Sequence, residues 1–132
     1  MFDHVGVVFK DLAQSGSLYM QILREIGIQL IEDHTQADGT GWLVFGSGAP
    51  KSPFFVVAAG RPSFWGDGAV PAASPAHIAF RAPTRGAVDR FHAIGIRNGA
   101  VDNGQPGVRR RGYYCGFLLD LDGNNVEAGV YD

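Results

Sequence analysis

The strongest constraint on this chain is that its order of elements is written twice. Residues 2–9 read as a buried strand, and residues 11–25 carry helical periodicity with Leu12, Leu18, Ile22, Leu23 and Ile26 on one broad face. Asp11 is placed to cap that helix and Gly27 to end it. Strands are expected at Ile28–Glu32, Trp42–Phe45 and Phe54–Ala58, punctuated by Gly39, Gly46, Gly48, Pro50 and Pro53. Residues 60–74 have no periodicity and read as a linker. The same order then returns: a strand at Pro75–Ala82, a helix capped by Thr84 and running through Ile94, then strands at Ile96–Asn98, Tyr113–Asp120 and Asn125–Tyr131. His4 lies seven residues before Asp11 and His77 seven before Thr84, and both helices meet a Gly-Ile pair, Gly27-Ile28 and Gly95-Ile96. The simplest reading is a duplicated βαβββ unit. The expected class is therefore α+β, with unit one at 1–59, the linker at 60–74 and unit two at 75–132. A one-sided sheet in each unit implies a curved mixed sheet around a central cavity.

Composition narrows the chemistry. With 132 residues the chain is long enough for one cored domain, here one built from two units. Its single cysteine, Cys115, excludes an internal disulfide or an all-thiolate zinc site. A formal charge of −2 with scattered basic residues argues against a nucleic-acid surface. No apolar run is long enough for a membrane span, and the start lacks a secretory pattern. A cytoplasmic protein with no nucleic-acid or membrane partner is expected.

Strand parity points to a site. Side chains alternate faces, so His4 shares a face with Gly6, His77 with Ala79, and Glu127 with Gly129. The opposite face carries Val5, Val7, Ile78, Phe80 and Val126, bulk suited to packing against helices. Two imidazoles and one carboxylate are a good ligand set for a divalent transition metal and leave positions open for water or substrate. Taken singly, each histidine has the simpler reading of a hydrogen-bonded structural residue. Equivalent positions in a repeat, and a glutamate in an apolar last strand, favour the metal.

The paired units, the opening 3–15 segment DHVGVVFKDLAQS, the mid-chain PAHIAF of 75–80 and the closing LDLDGNNVEA of 119–128 resemble the vicinal oxygen chelate superfamily. That group includes glyoxalase I, extradiol dioxygenases, methylmalonyl-CoA epimerase, fosfomycin-resistance transferases and bleomycin-binding proteins. The resemblance covers nearly the whole chain and is most specific from Asp120 to Glu127. It implies His4, His77 and Glu127 as ligands of one divalent metal (Fe, Mn, Ni or Zn), a small substrate with vicinal oxygens, and a homodimer, the site lying within one chain or across two. The chemistry implied is that of a lyase, isomerase or dioxygenase. The alternative is metal-independent binding of a small molecule, as in bleomycin resistance. Residues 54–58 hold no Glu or Gln, so a fourth ligand is missing, which departs from glyoxalase I and the epimerase. A hairpin about Asp122 would set Phe117 beside Glu127, where extradiol enzymes generally place a tyrosine.

Several other residues have two readings. Tyr113 shares parity with Cys115 and Phe117, so it either lines the cavity as a catalytic phenol or simply packs; Tyr114 should face the helices. Arg109-Arg110-Arg111 follow Pro106-Gly107 in an expected long loop, where solvation is the simpler reading and capture of an anionic substrate the functional one. Cys115 reads as a packed thiol, Asp120–Asn124 as a hairpin turn rather than a calcium loop, and Gly46-Ser47-Gly48 as a turn. His34 and His92 read as surface residues. Phe64 and Trp65 could cover the site or a subunit contact.

Overall fold

The computed structural model describes residues 2–61, 76–110 and 112–132, with the order β1 (His4–Phe9), α1 (Leu12–Arg24), β2 (Gln29–Asp33), β3 (Gly41–Gly46), β4 (Phe54–Ala59), β5 (His77–Arg81), α2 (Arg85–Arg97), β6 (Val101–Arg110), β7 (Tyr113–Leu119) and β8 (Asn125–Tyr131). The readings placed on Phe64, Trp65, Pro75 and Arg111 fall outside those residues. The repeat is real: the strands form two four-stranded mixed sheets of the same topology, β1-β4-β3-β2 and β5-β8-β7-β6. In each, the first strand of the unit runs parallel to the last and the other neighbours are antiparallel. Both first strands, β1 and β5, lie at a sheet edge.

The contacts divide the chain inside α1 and not only at the linker: residues 18–27 join the second unit, whereas the sequence reading left them in the first. The reason is apolar and polar packing together. The Tyr19 hydroxyl donates to Asp120 Oδ2 at 2.8 Å, Ile22 reaches Gly95 of α2, and Glu25 pairs with Arg90 at 3.0 Å. Periodicity alone reports that a helical face is buried, not which sheet buries it.

Both caps form as the residues demand. Asp11 Oδ1 accepts from the Gln14 amide at 2.9 Å, and Thr84 Oγ1 from the Ala87 amide at 3.1 Å. Gly27 ends α1 with φ +83°, a conformation that suits glycine. Gly95 does something else. It lies within α2, where a Cβ would stand 2.2 Å from Leu118 Cδ1, so it is a contact glycine of the helix–sheet interface. The helix runs on to Arg97, with Asn98 as its C-cap and Gly99 at φ +95°. The expected strand at Ile96–Asn98 is therefore helix end, and the true strand, β6, takes 101–110. Arg109 and Arg110 belong to that strand, not to a loop.

The Asp120–Asn124 turn is built around one carboxylate. Asp120 Oδ1 accepts from the amides of Asp122 and Asn124, and Oδ2 accepts from Asn124 Nδ2 and Tyr19, all at 2.8–2.9 Å. Gly123 takes φ +85° at the tip. This is a hairpin turn, and it sets Phe117 opposite Glu127, as a fold about Asp122 requires.

Candidate functional site

In the first unit the face of the sheet bearing His4 lines a cavity of about 470 Å³. His4 and Gly6 of β1, Phe54 and Val56 of β4, Trp42 and Val44 of β3, and Ile31 and Glu32 of β2 form its wall. Cross-strand pairs His4–Phe54, Gly6–Val56 and Val44–Val56 put these residues on one side. Ile31 and Glu32 are adjacent in sequence yet both line it, because the β2–β3 register shifts between Leu30 and Glu32 and the bulge re-aims a side chain. The His4 ring stacks on Phe54 at 4.6 Å and 8°. Its Nδ1 lies 2.8 Å from Asp3 Oδ1, a carboxylate that can only accept, so Nδ1 carries the proton and Nε2 presents a lone pair. Glu32 Oε2 lies 2.7 Å from His34 Nε2, and His34 stacks on Trp42 at 4.8 Å. His34 is thus exposed, as expected, yet it steadies the ring of a cavity residue.

The second unit gathers the remaining candidates. His77, Glu127 and Tyr113 share one face of the β5-β8-β7-β6 sheet. Glu127 is 6% exposed. Its Oε1 accepts the Tyr113 hydroxyl at 2.5 Å, and its Oε2 lies 3.4 Å from His77 Nε2. Tyr113 reaches it across Gly129: a Cβ there would lie 2.1 Å from the Tyr113 hydroxyl. Glycine at 129 is thus a requirement of the phenol's path. Burial first, then the hydrogen bond and charge of Glu127, hold the Tyr113 hydroxyl well above the usual phenol range, so it stays a neutral donor. The Cys115 thiol, fully buried on the same face, is pushed up to about 11 by burial and then by Glu127, which makes it a packed thiol and not a nucleophile.

The orientation of His77 carries chemical information. Its Nδ1 lies 3.2 Å from the Asn125 carbonyl, which can only accept. Both ring nitrogens thus face acceptors: either each carries a proton and the imidazolium pairs with Glu127, or Nδ1 alone is protonated and Nε2 turns a lone pair toward the Glu127 carboxylate. Lone pair facing carboxylate is unfavourable unless a cation or a proton lies between them. His4 and His77 thus each have an acceptor beside Nδ1 at equivalent repeat positions. Among the described residues no group of three or more His, Cys, Asp or Glu side chains that could hold a metal lies together. What the structure brings together is the pair His77–Glu127 with Tyr113, in the second unit; His4 belongs to the first.

No protein-family model matches the chain, and no curated protein matches it. Solved structures do. The chain is similar to a glyoxalase/bleomycin resistance protein from Albidiferax ferrireducens T118, with 27% identity, a TM-score of 0.77, and 100% of this chain and 99% of that one covered. It is also similar to a glyoxalase/bleomycin resistance protein/dioxygenase family enzyme from Burkholderia phytofirmans PsJN, at 18% identity, TM-score 0.71 and 98% of each chain covered. A lactoylglutathione lyase from Agrobacterium tumefaciens matches at 15% identity and TM-score 0.66, over 98% of this chain and 92% of that one. The chain has the vicinal oxygen chelate fold. In the first unit, β4 presents Phe54 and Val56 to the cavity.

Sequence reasoning missed two residues on this face and misplaced a third outside it. Arg81 lies two residues beyond Ala79 on the His77 face, and period-two counting from His77 would have found it. Asn125 contributes a backbone carbonyl, for which side-chain identity gives no signal. His92, expected at the surface, is buried and lies 3.0 Å from Asp102, because its face of α2 packs on the sheet.

No helix among the described residues is long and apolar enough to cross a membrane.

Proposed function

We propose that this chain is a divalent-metal-dependent enzyme acting on a small substrate with neighbouring oxygen atoms, with His4, His77 and Glu127 as the metal's protein ligands. The observation that carries the reading is the approach of His77 Nε2 to within 3.4 Å of a buried carboxylate oxygen while its Nδ1 lies 3.2 Å from the Asn125 carbonyl. Two ligands each ~2.1 Å from one tetrahedral ion lie about 3.4 Å apart, so the pair fits one ion as it stands. His4, oriented by Asp3, offers the third donor with the same free nitrogen. Acceptors behind each imidazole are the arrangement that metal-ligating histidines use.

When bound, the metal supplies Lewis-acid polarisation of the substrate's oxygens. The chain's own groups do the rest. Asn125 and Asp3 hold the imidazole protons at Nδ1. Tyr113 stays neutral at ordinary pH and spends its one hydroxyl proton on Glu127 Oε1, which fixes the carboxylate that would hold the metal. Trp42, Phe54, Val44 and Val56 supply apolar walls to the first unit's cavity.

Equilibrium dialysis of the chelator-stripped protein against Mn, Fe(II), Ni and Zn tests this. About one bound ion per chain, weakened at least 10-fold in His77→Ala, supports it. No uptake of any of the four overturns it. That second outcome favours the other reading, a metal-independent binding protein, for which the aromatic lining of the 470 Å³ cavity is the supporting observation.

A further inference from the structure

The His77 face of the second sheet continues into a cluster of arginines without acid partners among the described residues. Arg81 of β5 pairs in register with Gly129, and its guanidinium carbon lies 6.0 Å from the centre of the Tyr131 ring. Arg110 of β6 lies 5.6 Å from the same ring and 4.7 Å from that of Tyr113, and its Nη2 donates to the Tyr131 hydroxyl at 2.6 Å. The two cations are therefore no more than twice 6.0 Å apart around one phenol. Arg109 lies 5.7 Å from Phe117 on the same side and donates to the Gln105 carbonyl. Successive residues of a strand normally face opposite ways. Here the β6–β7 register shifts between Val108 and Arg110, and the bulge turns both arginines to one face.

None of the three forms an ion pair with a carboxylate among the described residues. The nearby acids are engaged elsewhere: Asp132 by Arg85, Asp89 by the Tyr114 hydroxyl, and Glu127 by Tyr113 and His77. Positive charge held on aromatic rings, with no acid partner among the described residues, suits an oxyanion.

We infer that Arg81 and Arg110, with Arg109 beside them, form an oxyanion-binding site on the second sheet, taking a carboxylate or phosphate. Gly129, in register with Arg81, is two residues along β8 from Glu127, about 7 Å at strand rise. That spacing is within the span of a small oxyacid with its anionic end at the arginines and other oxygens beside His77 and Glu127. That this anion is a substrate group rests on the metal-enzyme reading; the arginine site does not.

Calorimetric titration of the metal-stripped protein with inorganic phosphate, and separately with malonate, decides the matter. The expected result is saturable binding of one or both probes in metal-free protein, weakened about 10-fold by Arg81→Gln and by Arg110→Gln and unchanged by Arg97→Gln on α2. Phosphate alone, or malonate alone, identifies which oxyanion the site takes. Binding to neither overturns the inference, as does equal weakening by Arg97→Gln, which marks general charge attraction. Binding only after metal is restored, indifferent to both arginine variants, also overturns it while leaving the metal reading standing. All three substitutions are at exposed positions, and unchanged thermal midpoints will show that the variants are folded.

Discussion

Tyr113→Phe removes one oxygen atom from the point where the second sheet's polar residues meet. In the parent, that hydroxyl donates at 2.5 Å to a carboxylate that is 6% exposed. A hydrogen bond to a charged acceptor is worth roughly 1.5–3 kcal/mol, and the half-buried position of the phenol moves the expectation to the lower end of that range, about 1.5 kcal/mol. Glu127 Oε1 is then left with one donor fewer in a nearly dry setting, while the ring still covers Gly129, so packing is preserved. With a urea m-value of roughly 1.5 kcal/mol/M for a chain of this size, the midpoint of unfolding should fall by about 1 M with the slope unchanged. The same pair of proteins tests the protonation state. Because burial and Glu127 hold the phenol above its usual range, the parent-minus-variant absorbance of phenolate should show no Tyr113 signal below pH 11. A midpoint shift under 0.3 M, or a Tyr113 phenolate signal near pH 10, would refute the idea that this hydroxyl fixes Glu127 as a neutral donor.

Three further expectations follow from the same geometry. Gly129→Ala places a methyl group 2.1 Å from the Tyr113 hydroxyl, so the ring must leave, and urea unfolding should show a loss at least equal to that of Tyr113→Phe. Tyr19→Phe deletes a fully buried donor to Asp120, whose other three bonds remain, and should lower stability by about 1–2 kcal/mol by the same assay. The folded state raises the Cys115 thiol from 9.0 to about 11 and so favours its protonated form; this stabilisation is complete below pH 9 and is lost as the pH rises toward 11, amounting to about 3 kcal/mol at most. Iodoacetamide should accordingly leave native Cys115 unmodified for hours at pH 8 and label it promptly in urea; rapid native labelling would contradict its burial.

Much of this architecture was legible because duplication doubles every signal. The βαβββ order, both N-caps, the hairpin at Asp120–Asn124 and the Phe117–Glu127 pairing are local consequences of residue type and spacing. Where the reading slipped, the cause was non-local. Gly95 looks like Gly27 in sequence, yet it is glycine because Leu118 of a distant strand presses on α2 there. The Pro106-Gly107 and Arg109–Arg110 segment resembles a loop, and only pairing with β7, through three register shifts, makes it a strand. His92 is polar by type and buried by partner, since Asp102 lies ten residues away. Of the site, the ligand types and their faces could be counted from His4, His77 and Glu127. The tautomers could not, since they depend on the Asn125 carbonyl and the Asp3 carboxylate meeting particular ring nitrogens.

The account turns on His77 directing a lone pair from Nε2 toward Glu127. Long-range proton–nitrogen correlation spectra of the imidazole, recorded on metal-free protein and again with Zn added, measure this directly. The prediction is a His77 ring protonated on Nδ1 at neutral pH, whose Nε2 resonance shifts on adding one equivalent of Zn while Nδ1 keeps its proton. A ring protonated on Nε2, or a spectrum that Zn leaves unchanged, would contradict it.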